Sequence, residues 1–366
     1  MKVLYVSSNG GIHDYRFLKK LSEDHEVLFL HYAAGEIISE IDSLDHLQII
    51  SKKPAFRSMP LISECIHFKR IVREFKPDII HSGYVWQVGI LAAISGFHPH
   101  LSMPWGCDIL TEPDKSFIRR LLVKKVMRTC DHVQCDAEFV KKKIIDDYGL
   151  PAEKITVFPW GIDLEQFKKT DKQSAREKLN LDKDKFIVIF NRHFEPVYGV
   201  DCLLDAFRKF CDGKNDVLML MLSDGSGKVD ALRYITESNL DEKIQVLGRV
   251  PNNELPAFLN AADVYVSSSL SDGTSLSLLE AMACGKGLIV TDVPAIKEWV
   301  SEANGLIVKR GSAEELRGAL DKYYTNRAII EEHGSVNLSL AAQKADWDEN
   351  YKKLSGIYGN LVHTEK

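Results

Sequence analysis

The sequence predicts an α/β protein of two successive doubly wound domains, each a parallel sheet covered by helices. Short apolar runs alternate with helix-period segments along the chain, the pattern of repeated strand–helix units. The alternation restarts after a charged stretch at 168–185, which reads as a linker with a short helix. At 366 residues, the chain also exceeds what one average hydrophobic core organises.

The first series of strands is expected at 2–7, 26–32, 47–51, 78–82, 101–105, 132–135 and 155–158, with helical periodicity at 15–22, 62–75 and 117–128. Val3-Leu4-Tyr5-Val6 is apolar at consecutive positions, which suits a strand buried on both faces. The second series is expected at 186–191, 217–222, 243–247, 263–267, 287–291 and 305–308. The end of the chain carries Trp347 and Tyr351 at helical spacing and reads as an amphipathic helix that either packs back on the first domain or stays as a plain terminal helix on its own domain. The expected organisation is an N-terminal domain over 1–167, a C-terminal domain over 168–344 and that returning helix over 345–366. Such sheets bind ligands outside the carboxyl ends of their strands, so two of them imply a cleft between the domains.

A formal charge of −5 argues against general nucleic-acid binding. The charge is unevenly spread, with 16 Lys/Arg against 9 Asp/Glu over 51–143. There the segment from Phe117 to Arg128, with Ile118, Leu121, Arg120, Lys124 and Lys125, suits either a solvated helix face or contact with an anionic membrane. Seven scattered cysteines without a CxxC pattern point to free thiols in a reducing compartment. The first apolar run is too short for a signal peptide, and no run reaches the length of a membrane span. The expected location is the cytoplasm, at the inner face of the membrane if the basic helix touches lipid.

The most informative stretch runs from Ser271 to Gly285. A strand, a polar loop and a helix start meet there, and the unpaired amides of a helix N-terminus attract anions. The helix is expected to carry Asp272 in its first turn and Glu280 further in, where an acid reaches a sugar hydroxyl beside a bound phosphate. Arg192, closing the strand at 186–191, offers a guanidinium fork suited to a diphosphate, against the competing reading of an exposed strand-end arginine. Lys228 follows Ser223-Asp224-Gly225-Ser226-Gly227, which fails the P-loop spacing; it is either a phosphate contact or a solvated lysine at a helix start.

In the first domain, Gly10-Gly11 either brings backbone close to a phosphate or sugar, or makes a tight turn. Trp105 and Asp108 end another strand, the indole suited to a sugar face and the acid to a sugar hydroxyl; Asp108 joins Asp272 and Arg192 as a catalytic candidate. His81 is similarly placed, although a lone histidine there is more often structural. Asp182-Lys183-Asp184 spells a metal-binding DxD, but in the charged linker a solvated turn is expected and no metal.

Taken in order, these positions resemble the motifs of the retaining glycosyltransferases of the GT-B fold, specifically the GT4 group. Gly10-Gly11 comes first, then His25-Glu26-Val27, Asp78-Ile79-Ile80-His81 and Pro159-Trp160-Gly161-Ile162-Asp163 with Phe167. Arg192 with Tyr198-Gly199, Gly248-Arg249-Val250, and Asp272 to Glu280 with Ala281-Met282-Ala283-Cys284-Gly285 follow. The resemblance covers nearly the whole chain. It implies two Rossmann-like domains and transfer of a sugar from a nucleoside diphosphate-sugar to a hydroxyl, with retention of configuration. It also implies a glycan or lipid-linked acceptor, a place in polysaccharide or glycolipid biosynthesis, and no obligatory metal or other cofactor. On the same resemblance, Glu280 binds the ribose and Asp272 lies near the donor sugar. The amides at Ser275, Leu276 and Ser277 hold the diphosphate with Arg192, and the backbone at Val250 meets the base.

Three positions depart from the family pattern: Asp272 stands for a glutamate, Tyr198 for a lysine and Trp105 for a histidine. Two other readings share the architecture. One is a nucleotide-sugar epimerase; the other is a non-catalytic nucleotide-sugar-binding subunit, which the Trp105 and Tyr198 replacements favour.

Overall fold

The computed structural model describes residues 1–33, 35–53 and 62–363. The chain divides into two compact units, Met1–Phe158 with Lys352–Lys366, and Pro159–Tyr351. The division falls nine residues before the expected 167/168 and seven after 344/345. The amide of Ile162 donates to the Ala345 carbonyl at 2.7 Å, and that of Trp347 to the Ile162 carbonyl at 3.0 Å. Ile162 and Phe167 are fully buried in the second unit's core, so both chain passages stay with it.

In the first unit the strands are β1 (Lys2–Ser7), β2 (Glu26–His31), β3 (Leu47–Ser51), β4 (Ile79–Gly83), β5 (His100–Met103), β6 (His132–Cys135) and β7 (Ile155–Val157). They form a parallel sheet in the order β3-β2-β1-β4-β5-β6-β7, which reverses between β1 and β4. β5 ends at Met103, short of the expected Trp105, because Pro104 has no amide to donate and Gly106 turns away at φ +99°. The first helix, Ile12–Asp24, starts three residues before the expected 15–22, because Asp14 faces inward and is fully buried.

The second unit holds β8 (Phe186–Phe190), β9 (Val217–Met221), β10 (Ile244–Val246), β11 (Val264–Ser267), β12 (Gly287–Thr291) and β13 (Leu306–Val308). Its parallel order is β10-β9-β8-β11-β12-β13, reversing between β8 and β11. Phe186, Val188 and Phe190 enter one core cluster, and Ile187 and Ile189 the one on the opposite face. Burial on both faces is why these strands are apolar at every position.

The terminal helix is Trp347–His363, and the last three residues of the expected tail lie outside the described residues. Tyr358 is fully buried and reaches β4, its hydroxyl 2.5 Å from His81 Nδ1. Among the described residues no helix is long and apolar enough to cross a membrane.

Candidate active site

In the second unit, the order of strands reverses between β8 and β11, and a doubly wound sheet opens its ligand crevice at that point. Arg192 lies two residues beyond β8, and the loop beyond β11 leads to the helix Leu276–Ala283. Ser275 caps that helix, its hydroxyl accepting the Leu278 amide. The amides of Leu276 and Ser277 head the helix, where the helix itself supplies no acceptor.

Arg192 ties these pieces together. Its Nη1 donates to Ser275 Oγ at 2.7 Å and Ser277 Oγ at 3.1 Å, and its Nη2 to Asp272 Oδ2 at 2.6 Å. The Tyr198 ring lies under the guanidinium, 4.2 Å from Cζ. Burial opposes the charge, but Asp272 and then the neighbouring Tyr198, Tyr265 and Glu280 more than offset it, so Arg192 is held protonated. Burial likewise raises the Asp272 carboxyl, against the pull of Arg192 and the Gly273 amide. Glu280 is buried one turn into the same helix. Asp272 differs from the expectation: it precedes the helix, in the loop, because the helix begins only after the Ser275 cap.

Around Lys228 the structure favours a local role. It heads the helix Lys228–Glu237, and its ammonium donates to Asp224 at 3.1 Å. The loop before it is zipped to the segment after Arg192: Phe194 N–H meets the Asp224 carbonyl and Gly227 N–H the Phe194 carbonyl. Glu195 adds two bonds, to the Ser226 amide at 2.9 Å and hydroxyl at 2.7 Å. Gly225 is required there, since a Cβ would meet Phe194 N at 2.7 Å. Val250 is half-buried and packs against the second unit's core. Asp182 accepts the Asp184 amide at 2.9 Å and closes an exposed turn.

Three expectations in the first unit are corrected. His81 is fully buried between Tyr5, Phe17 and Tyr358, so its ring is core and not a sugar contact. Burial, with His100 nearby, pushes its pKa down to about 3 and keeps it neutral. Asp108 is also fully buried, its carboxylate accepting the Val85 amide at 2.7 Å and the Trp105 amide at 2.9 Å. It anchors two loops, so neither a catalytic role nor a sugar contact follows. The Gly10 amide donates to Asp14 at 2.8 Å, so an internal carboxylate takes an amide expected to approach a phosphate or sugar. Gly10, at φ +67°, makes the tight turn, and a Cβ there would come within 3.0 Å of His31.

Trp105 is half-buried, edge-on to His13 at 5.8 Å and to Tyr84 at 6.5 Å. Gly83 makes room for it, since a Cβ there would meet the indole Nε1 at 3.1 Å. Tyr84 beside it, and Gln87 three residues on, hold φ of +82° and +71°, rare for non-glycine residues.

Sequence reasoning overlooked Tyr265. It sits in the middle of β11 and reads there as an apolar residue, yet its hydroxyl is 2.9 Å from Ser277 Oγ. Two hydroxyl residues spaced as Ser275 and Ser277 opposite a strand tyrosine are the only signal available. Tyr198 was noted for the charge it lacks; its contact with Arg192 had no local signature.

This architecture and the Arg192–helix site define a GT-B type glycosyltransferase fold. Residues 171–338 match the model of the glycosyl transferases group 1, and 11–166 that of glycosyltransferase family 4; the chain belongs to this GT4 family. The phosphatidylinositol N-acetylglucosaminyltransferase GPI3 subunit of Saccharomyces cerevisiae is 25% identical over 66% of this chain and 54% of its own length. The chain thus spans about half the length of that curated relative. An uncharacterized glycosyltransferase of Methanocaldococcus jannaschii is 24% identical over 99% of this chain and 97% of its own. Among solved structures, HepE of Anabaena in complex with UDP superposes with a TM-score of 0.82 at 19% identity, covering 99% of this chain and 100% of that one.

Proposed function

We propose that this chain transfers a sugar from a nucleoside diphosphate-sugar to a hydroxyl of a glycan or lipid-linked acceptor, with retention of configuration, in polysaccharide or glycolipid biosynthesis. The observation that carries this is the placement of Arg192 at the N-terminus of Leu276–Ala283, with Glu280 one turn further in. The leaving diphosphate gains negative charge as the glycosidic bond breaks. A fixed guanidinium and the amides of Leu276 and Ser277 stabilise that charge without reorganising. Glu280 suits the ribose, since a carboxylate accepts two hydroxyl hydrogen bonds. The solved UDP complex of HepE supports UDP as the nucleotide. Arg192 and the helix amides supply the charge that a metal ion otherwise would, so no obligatory metal is proposed.

We also place the enzyme in the cytoplasm, against the anionic inner face of the membrane. The helix Phe117–Thr129 supports this: Phe117, Ile118 and Leu121 are 74%, 58% and 50% exposed, beside Arg120, Lys124, Lys125 and Arg128. Apolar side chains that enter a headgroup layer, next to basic ones that meet it, suit such a surface.

The reading is tested by a thermal-shift screen of UDP-, GDP- and ADP-sugars. One donor class should raise the melting temperature of wild type and lose that effect in Glu280→Ala. No shift from any class would overturn the donor site.

A further inference from the structure

We infer that Asp272 is the built-in counter-ion of Arg192 and that the donor's diphosphate displaces it on binding. This rests on the donor-site reading above. Arg192 is a cation placed beside helix amides that also repel cations, so the position demands an anion. Asp272 supplies one, across the 2.6 Å contact to Nη2, with the two side chains only 11% and 16% exposed.

The match is incomplete. Nε and Nη2 form one edge of a guanidinium, and a carboxylate or phosphate satisfies both at once when it binds that edge side-on. Asp272 takes Nη2 alone, while Nε is buried with no hydrogen-bond partner among the described residues. A buried donor left unmet is costly. A diphosphate has more charge and more acceptor oxygens than a carboxylate, so it can bridge the whole edge.

The guanidinium itself is fixed, by Ser275 and Ser277 on one side and the Tyr198 ring beneath. Asp272 instead belongs to the partly exposed middle of the loop after β11, two residues from the exposed Leu270. The aspartate is therefore the member that moves. Its carboxylate, once displaced, stays in the same loop and can turn to a hydroxyl of the bound sugar.

The consequence is that nucleotide binding works against an internal ion pair, and removing the acid's charge should tighten it. Calorimetry with UDP should give about tenfold stronger binding by Asp272→Asn than by wild type. In an Arg192→Gln background, measured by thermal shift at millimolar UDP, the same substitution should change affinity less than about twofold. Unchanged or weaker binding by Asp272→Asn would overturn the exchange. So would equal tightening in both backgrounds, which would mean general repulsion by the acid. Failure of wild type to bind UDP, GDP or ADP is a different result and overturns the donor site itself.

Discussion

The amide of Gly10 donates to the buried carboxylate of Asp14 at 2.8 Å. Ser7 and Tyr5 complete the shell with hydroxyl donors at 3.0 and 2.9 Å. Asp14 thus takes up, from within the fold, a backbone amide and two hydroxyls at the end of β1. Its role is to hold the turn between β1 and the first helix.

That burial has a measurable pH signature. Desolvation raises the Asp14 pKa to about 6 despite its donors, above the ordinary 3.8. The folded state therefore holds a proton there that the unfolded state has lost, so this group's contribution to stability falls as pH rises through the window between those values. Asp14→Asn cannot titrate. The stability of wild type relative to Asp14→Asn should drop by about 2 to 3 kcal/mol from pH 4 to pH 7 in urea unfolding. A constant difference across that range would contradict the assignment.

Tyr198 replaces a lysine with an aromatic shelf under Arg192. Tyr198→Phe keeps the ring and should leave nucleoside diphosphate affinity within about twofold. Tyr198→Ala should weaken it by roughly 0.5 to 2 kcal/mol, the range for such a contact. Equal effects of the two substitutions in calorimetry would assign the role to the hydroxyl.

Gly161 lies where the two passages of chain in the second unit bind each other, with φ at +90°. A Cβ there would stand 2.8 Å from the Ala345 carbonyl oxygen. Gly161→Ala should cost about 2 kcal/mol or more, seen as a lower urea midpoint. An unchanged midpoint would show that this crossing tolerates a side chain.

Serine at Phe117, Ile118 and Leu121 together should abolish sedimentation with phosphatidylglycerol vesicles at low salt, and wild type should leave the vesicles at high salt. These residues are exposed, so the variant should fold normally. Vesicle binding equal to wild type would place any lipid contact elsewhere.

Much of the molecule was legible in the sequence because its strands are buried on both faces. Phe186–Phe190 announces itself by five consecutive apolar residues. The Arg192–Asp272–Ser275–Ser277 cluster was legible too, since strand ends and a helix start converge where the strand order reverses. Polar residues at strand ends in the first unit misled. His81 and Asp108 look like Arg192 in the sequence, but their partners decide the matter. His81 meets Tyr358, 277 residues away, and Asp108 meets Val85 across a loop, pairings no local pattern announces. Asp14 was hidden for a different reason, as a charged residue in a helix's first turn ordinarily faces solvent.

The most direct test of the central claim is turnover. Purified protein would be incubated with the donor selected by thermal shift and a set of glycan and lipid-linked acceptors, and the products resolved by chromatography and mass spectrometry. The account predicts nucleoside diphosphate released together with a glycosylated acceptor, and loss of both products in Arg192→Gln. Epimerised donor, or tight nucleotide binding without any transfer, would contradict it.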